Sequence, residues 1–127
     1  MKKEKRVKGP LWKSFYYAFQ GIKQCLFVER NMIIHFFFMC LVIICGVLFN
    51  ITRGEWIICI LLFGFVFAME FMNTAIETTI DICMPERDPR AKLAKDTAAG
   101  SVLIAAIVAA IIGLIIFIPY GMNALGI

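Results

Sequence analysis

The sequence predicts an all-α membrane protein with an N-terminal amphipathic surface helix and three transmembrane helices. First, the 127 residues are 61% hydrophobic and 17% charged, which is too apolar for a soluble domain of this size. Second, three apolar segments are long enough to cross a bilayer, at residues 32–50, 56–83 and 97–119. Third, of the 13 Lys and Arg, eight precede residue 31 and four follow Cys83, so the basic flanks share one side of the membrane.

Residues 1–30 are predicted to be a basic tail followed by the surface helix. Between residues 11 and 28 the apolar side chains recur at helical spacing, with Lys13 and Lys23 toward one flank. The aromatic residues Trp12, Phe15 and Phe19 on the apolar face are candidates for contact with lipid. A basic tail can also bind nucleic acid, but the apolar segments that follow favour a membrane surface, so no nucleic-acid partner is expected.

The first span is predicted from Met32 to Phe49, and its 18 residues cover about 27 Å of helix. A polar turn follows, and the second span starts at Trp56, an aromatic residue suited to the membrane interface. Residues 84–96 form a proline-containing loop and the start of a new helix, and the third span is expected to end at Pro119. With the basic flanks inside, the N-terminus is cytoplasmic and the C-terminus lies outside.

Four polar residues form one stripe on the second span. At about 100° per residue, Glu70, Asn73, Glu77 and Asp81 fall within about 80° of arc. An acid inside a membrane helix costs about 2.5–3.5 kcal/mol on insertion scales, so it usually faces protein or water and marks a functional site. The alternative is a solvated helix end leaving the bilayer, which fits Glu77 and Asp81 as well as a functional role does, but fits Glu70 poorly.

Topology places these residues at the depth of further polar groups. Glu70 lies about 21 Å from Trp56 along the helix, just inside the cytoplasmic edge of a bilayer core. Glu29, before the first span, and Lys95 and Asp96, before the third span, belong to the same side. Carboxylates on separate helices can hold Mg²⁺ beside phosphates, an ammonium can neutralise a transferred phosphoryl group, and a deeper carboxylate can accept a hydroxyl proton. The sequence has no Gly-rich phosphate loop of the GxxxxGK[ST] kind.

Other chemistry-bearing residues are less informative. The five cysteines are dispersed in apolar surroundings and show neither metal-ligand spacing nor a disulfide framework. His35 is isolated near the start of an apolar segment, so a metal-binding role is not expected. Small residues repeat every four positions at Ala105, Ala109 and Gly113, which favours close helix packing and self-association, the alternative being alanines that simply face lipid.

The segment from Glu70 to Asp81, together with Ala94-Lys95-Asp96-Thr-Ala-Ala-Gly, resembles a known family. It is similar to the small bacterial integral-membrane lipid kinases, the prokaryotic diacylglycerol kinases and their Gram-positive relatives, the undecaprenol kinases. The resemblance covers nearly the whole chain, from Ser14 through the third span. The segment Glu29-Arg30-Asn31 and His35 are similar to the Gram-positive branch.

The resemblance implies a homotrimer of three-span subunits with active sites shared between neighbours. It implies Glu70 as the catalytic base, Glu29 and Glu77 as ligands of Mg²⁺ bound with ATP, and Asp81 as a supporting residue. It implies nucleotide contacts from Tyr17, Glu29, Asn73, Glu77, Glu86, Lys95 and Asp96. The loop Pro85-Glu86-Arg87-Asp88 departs from the family pattern after Glu86, so Arg87 and Asp88 are not carried over.

The expected activity is therefore ATP-dependent phosphorylation of a membrane lipid alcohol on the cytoplasmic face of a bacterial cell membrane. The family's Gram-negative diacylglycerol enzymes have glycine and serine where this chain has Ala98 and Ala99, which favours undecaprenol over diacylglycerol. Diacylglycerol remains the alternative, because both lipids offer one primary hydroxyl and a long apolar body. A proton- or cation-conducting oligomer would spread acids through the bilayer, and a scaffold gives no reason for Lys95 and Asp96 opposite the acid stripe.

Overall fold

The computed structural model describes residues 9–127, which form four α-helices and contain no β-strand. The helices are α1 (Leu11–Val28), α2 (Arg30–Phe49), α3 (Arg53–Cys83) and α4 (Pro89–Ala124). Helices α2, α3 and α4 are long and apolar enough to cross a membrane. The predicted all-α class with three candidate spans is thus confirmed, whereas the basic tail predicted at the N-terminus lies outside the described residues except at its end.

Helix α1 is separated from α2 by a single residue. Glu29 has an extended backbone (φ −85°, ψ 121°), and its N–H donates to the carbonyl of Cys25 at 3.1 Å. Cys25 is the only buried residue of α1, whereas the aromatic residues Trp12, Phe15 and Phe19 are exposed. A helix that lies in the membrane interface needs an apolar face that the rest of the protein leaves uncovered. Helix α1 has such a face beside the three spans.

The turn between α2 and α3 follows from local sequence chemistry. Asn50 adopts the left-handed conformation (φ 51°, ψ 56°) that asparagine tolerates, and the Ile51 N–H donates to the carbonyl of Gly46 at 3.1 Å. A Cβ atom at Gly46 would lie 2.6 Å from the Trp56 ring, so this close approach requires glycine. The turn is shorter than predicted, since residues 50–55 were expected between the two spans. A capping box formed by Thr52 and Glu55 starts α3 already at Arg53.

Helices α3 and α4 form the main packed pair and run antiparallel. At one end, the Lys95 Nζ lies 2.8 Å from Asp81 Oδ1, and at the other, the Tyr120 hydroxyl donates to Glu55 Oε2 at 2.7 Å. Beside the second contact, Cys59 and its buried neighbours Ile51 and Ile116 form a small core. The two polar contacts therefore fix the register of α4 along α3 at both ends.

Helix α4 continues past Pro119, which we expected to end it. The helix extends to Ala124 with the proline in its interior. Proline removes one helical hydrogen bond. Here Tyr120 is held by its bond to Glu55 and by stacking on Phe49 (centroids 5.9 Å apart, 22° between planes). We attribute the continuation of the helix to these contacts.

Some of the small residues of α4 pack inside the subunit, and others stay partly uncovered. Ala98 and Ala105 are buried, whereas Ala109 and Gly113 are half-buried. The close helix packing expected of these positions is therefore satisfied in part within the subunit, against the neighbouring helices of the same chain.

Candidate active site

The polar stripe of α3 runs from the interior of the subunit to its surface. Glu70 and Asn73 are 1% and 5% exposed, and they are the buried polar side chains of residues 9–127. Glu77, two turns after Glu70, is half-buried, and Asp81 is exposed. The helical spacing read from the sequence thus corresponds to a gradient of burial along one face of α3.

An open groove lies beside Glu70, where α2, α3 and α4 meet. Its volume is about 230 Å³. The polar side chains at the groove come from α2 and α3, and α4 contributes an apolar wall. The lining residues are Asn31, Ile34, His35, Glu70, Asn73, Ala99, Val102, Leu103 and Ala106. A groove with one polar side and one apolar side suits a ligand whose polar end is attached to an apolar chain.

Two acceptor oxygens beside this groove have no hydrogen-bond partner among the described residues. They are Oε2 of Glu70 and Oδ1 of Asn73, one helical turn apart. A buried polar atom without a partner costs free energy, about 1–3 kcal/mol, so such atoms usually serve a ligand or a reaction. Glu70 and Asn73 are therefore suited to receive hydrogen-bond donors from a bound molecule.

Of the metal-binding candidates, Glu29 lies between α1 and α2 and Glu77 lies on α3, and a side-chain contact links α1 to α3 near both. Cys25 Sγ lies 3.6 Å from Thr74 Oγ1. Glu29 is four residues after Cys25, and Glu77 is three residues after Thr74, so each is about 4.5–6 Å of helical rise from that contact. The junction of α1 and α2 is thus held against the half of α3 that ends at Cys83.

The donor chemistry near this junction fits Mg²⁺. Glu29, Glu77 and the unpartnered Oδ1 of Asn73 offer oxygen atoms, which Mg²⁺ prefers. In residues 9–127 no group of three or more His, Cys, Asp and Glu side chains could hold a metal ion by itself. The set therefore fits an ion that keeps waters and shares phosphate oxygens with a nucleotide, and does not fit an all-protein metal cage.

Lys95 and Asp96 at the start of α4 both form ion pairs. Lys95 binds Asp81 at the end of α3, and Asp96 is bound to Lys92 on its own helix. The hydrogen bond to Asp81 raises the pKa of Lys95, and the nearby charges of Asp81 and Glu77 act in the same direction. Lys95 therefore stays cationic beside the end of the acid stripe.

Tyr17 and Glu86 lie outside the groove. Tyr17 is exposed on α1, in edge-on contact with Tyr16, and Glu86 is exposed in the loop before α4. In the same loop Asp88 caps α4 and binds Arg90 at 2.9 Å. Hydrogen bonds from Arg90 lower the pKa of Asp88 and raise that of Arg90, so both are engaged in starting the helix. The predicted residues thus form three groups, and Tyr17 and Glu86 lie apart from them. The groups are the buried pair Glu70 and Asn73, the pair Glu29 and Glu77 near the junction of α1 and α2, and the charged residues Asp81, Lys95 and Asp96.

The sequence analysis missed Asn31, His35 and Ala99 as groove residues. His35 Nε2 lies 3.7 Å from Glu70 Oε2, whereas from the sequence only a metal-binding role was considered for it, and that role was not expected. A signal was present, because Asn31 and His35 are four residues apart and share one helix face at the start of the first span. Asn31 and His35, like Glu29, belong to the end of the first span that was expected at the depth of Glu70.

Comparisons with known proteins agree on one family. The model of the family described as prokaryotic diacylglycerol kinase matches residues 16–117. The chain is 45% identical over 108 residues to the undecaprenol kinase of Bacillus subtilis, covering 85% of this chain and 88% of that protein. It is 36% identical over 107 residues to a diacylglycerol kinase of Synechocystis sp., covering 84% of this chain and 61% of that protein.

Proposed function

This chain belongs to the prokaryotic diacylglycerol kinase family and is a membrane lipid kinase, and from this premise we propose that it uses ATP to phosphorylate undecaprenol. The observation that carries the proposal is the unpartnered carboxylate oxygen of Glu70, buried beside a groove whose other wall is apolar. A lipid alcohol entering from the bilayer would bring a hydroxyl donor to that oxygen and lay its chain along α4.

In this mechanism Glu70 is the general base. The lipid oxygen attacks the γ-phosphorus of ATP while its proton passes to the Glu70 carboxylate. A new bond forms between the lipid oxygen and phosphorus, the bond from the γ-phosphorus to the β,γ-bridging oxygen breaks, and ADP leaves. Burial of Glu70 keeps water away from the reacting oxygen, which disfavours hydrolysis of ATP. Asn73, one turn away, is placed to orient a bound group.

The nucleotide side of the site is assigned to the junction of α1, α2 and α3. We assign Glu29 and Glu77 as the residues that hold Mg²⁺, which when bound supplies charge neutralisation for the phosphates. Lys95 supplies a fixed positive charge beside the acid stripe, with Asp81 as its supporting partner. The remaining nucleotide contacts are assigned to Tyr17, Glu86 and Asp96.

Undecaprenol is favoured over diacylglycerol by two observations. The 45% identity to a protein named undecaprenol kinase extends over most of both chains, whereas the diacylglycerol kinase compared is 36% identical. In addition, Ala99 lines the groove, at a position where the family resemblance places serine in Gram-negative diacylglycerol kinases. An alanine there offers no hydroxyl to the second polar group of a glycerol lipid. Diacylglycerol is retained as the second candidate.

The same family membership supports a bacterial cell-membrane location with the active site on the cytoplasmic face. We further propose that the chain assembles as a homotrimer. The described helices leave many large apolar side chains uncovered on all sides, and half-buried Ala109 and Gly113 offer places for close helix contact. Light scattering of the detergent-solubilised protein, corrected for bound detergent, measures the subunit number.

A competition assay tests the substrate. The purified protein in lipid vesicles receives equal amounts of undecaprenol and diacylglycerol with labelled ATP and Mg²⁺. We expect undecaprenyl phosphate as the main product. A main product of phosphatidic acid would overturn the substrate assignment, and phosphorylation of neither lipid would overturn the proposed activity.

A matched pair of variants sharpens this assay. Ala99→Ser adds a hydroxyl inside the groove, whereas Ala110→Ser adds one to the same helix at a position that does not line the groove. We expect the first to raise the share of phosphatidic acid and the second to leave it unchanged. Equal product ratios in both variants would remove Ala99 from the substrate assignment.

A further inference from the structure

His35 is the charged or chargeable nitrogen group closest to Glu70 in the part of the chain that the structure describes. Its Nε2 lies 3.7 Å from Glu70 Oε2, and no Lys or Arg of residues 9–127 approaches this carboxylate within 4.0 Å. The His35 side chain is 18% exposed, and that of Glu70 is 1% exposed. The two side chains come from different helices, α2 and α3, and meet at the groove.

The remaining cations near the site are engaged elsewhere. Lys95 binds Asp81, Lys92 binds Asp96, and Arg90 binds Asp88. An ionised carboxylate that is buried needs a hydrogen-bond donor or a positive charge nearby, and among the chargeable nitrogen groups of the described chain only His35 lies within 4.0 Å of Glu70. Asn73, one turn away, also carries amide N–H donors, but Glu70 Oε2 has no hydrogen-bond partner among the described residues.

We propose that His35 is a positioning residue for Glu70, donating from Nε2 to the carboxylate and aiming its Oε2 at the incoming lipid hydroxyl. This inference rests on the proposed role of Glu70 as the base. A hydrogen bond to a carboxylate is about 2.7–2.9 Å long. The present separation of 3.7 Å therefore closes by about 1 Å, within the tightening expected when a substrate fills a site.

The location of His35 explains how it acts without taking the proton of the lipid. It lies on α2, one turn after Asn31, and lines the same groove as the apolar residues Ala99 and Val102 of α4. A lipid chain lying on that wall passes between His35 and α4, so its hydroxyl meets Glu70 from the side that His35 leaves free. His35 thus holds the base, and Glu70 alone contacts the reacting oxygen.

The kinetic test compares three variants of the full-length protein in vesicles. His35→Leu removes the donor, His35→Gln keeps an amide N–H near the position of Nε2, and Phe37→Leu is the control at an exposed position of the same helix. We expect His35→Leu to lower kcat about 10- to 100-fold with little change in KM for ATP, the loss that one hydrogen bond to a charged group corresponds to. His35→Gln should recover most of kcat, and Phe37→Leu should match the wild type.

Two kinetic outcomes would overturn the proposal. One is wild-type kcat in His35→Leu, and the other is a His35→Gln variant as slow as His35→Leu, which would indicate a role that does not depend on a donor. A wild-type protein inactive on both lipids would instead refute the proposed function, and the next measurement does not depend on turnover.

Because the chain contains one histidine, histidine labelled with ¹⁵N gives the imidazole signals of His35 alone. We expect the Nε2 signal to be that of a protonated nitrogen in the wild type and to shift in Glu70→Gln. An unprotonated Nε2, or signals identical in the two proteins, would overturn the proposal whether or not His35→Leu folds.

Discussion

Lys95 Nζ lies 2.8 Å from Asp81 Oδ1, which ties the start of α4 to the end of α3 beside the acid stripe. The residue proposed to neutralise phosphate charge is therefore already oriented by a carboxylate. The pairing raises the pKa of Lys95, so its charge is secured at neutral pH. Similarly, Asp81 acquires a defined role as the partner of Lys95 and not as a direct ligand of the nucleotide.

We predict that Lys95→Met impairs the use of ATP more than Asp81→Asn does. If Lys95 contacts phosphate, its loss removes both that contact and the bond to Asp81, and KM for ATP rises about tenfold or more beyond the effect of Asp81→Asn. Steady-state kinetics of both single variants and the double variant measure the difference. Lys23→Met, at an exposed lysine of α1, is the control. Equal effects in both single variants, with no further loss in the double variant, would mean that Lys95 acts through Asp81 alone.

We predict that Glu29→Gln and Glu77→Gln each raise the concentration of Mg²⁺-ATP needed for half-maximal rate by about tenfold or more. The reason is that each variant loses a negatively charged oxygen ligand while keeping its size. Binding of the lipid should change little, because neither residue lines the groove. Titrations with Mg²⁺ at fixed ATP, and with lipid at fixed Mg²⁺-ATP, separate the two effects. An unaltered Mg²⁺ dependence in both variants would exclude these residues from metal binding.

We predict that Glu70→Gln lowers kcat by about 10²–10⁴-fold, the usual contribution of a general base. Glutamine has nearly the same shape, so the folded protein and its binding of ATP should persist. Single-turnover kinetics with a parallel nucleotide-binding measurement test this. Retention of most of the turnover would show that Glu70 is not the base.

We predict that the contact between Glu55 and Tyr120 makes the stability of the protein fall at both acidic and alkaline pH. Hydrogen bonds from Tyr120 and from the Thr52 backbone lower the pKa of Glu55 below its ordinary value of 4.5, so this contribution is present above that pH and lost as the pH falls through the lower folded pKa. The same contact raises the pKa of Tyr120 above 10.0, so that contribution is present below pH 10.0 and lost above it.

Thermal unfolding of the protein in detergent across pH measures this dependence. Tyr120→Phe should reduce the change in Tm at both extremes, since it removes the hydrogen bond and keeps the ring that stacks on Phe49. Glu55→Gln should reduce the fall in Tm at acidic pH, because it removes the carboxyl group that titrates there. A wild-type pH profile reproduced unchanged by Tyr120→Phe would contradict the prediction.

We predict that the turn before α3 is outside the cell and that the loop before α4 is in the cytosol. Arg53 and Arg87 are suitable probe sites, because the caps of α3 and α4 are formed by Thr52 and Asp88 and stay intact when these arginines are replaced. In a variant lacking the five native cysteines, an impermeant maleimide should label Arg53→Cys in intact cells and Arg87→Cys only after lysis. In the protein with native cysteines, exposed Cys83 should behave like Arg87→Cys. Labelling with the opposite sidedness would reverse the topology.

The sequence by itself determined the helical class, the three apolar spans and the polar stripe of α3. These features depend on local properties, namely the length of apolar segments and the 100° spacing that aligns Glu70 with Asn73. The resemblance of the Glu70 and Lys95 segments to one family was also available from sequence, because each motif is contiguous in the chain.

The tertiary structure alone decided which residues of different helices meet. The His35–Glu70 approach, the pairing of Lys95 with Asp81 and the position of Ala99 in the groove depend on the rotation and register of α2 and α4 against α3. Periodicity within one helix fixes which residues share a face, but not the partner that this face contacts. Similarly, Pro119 was expected to end α4, because proline lacks the N–H that donates the helical hydrogen bond. Its helix continues because Tyr120 is anchored by Glu55, 65 residues earlier in the chain.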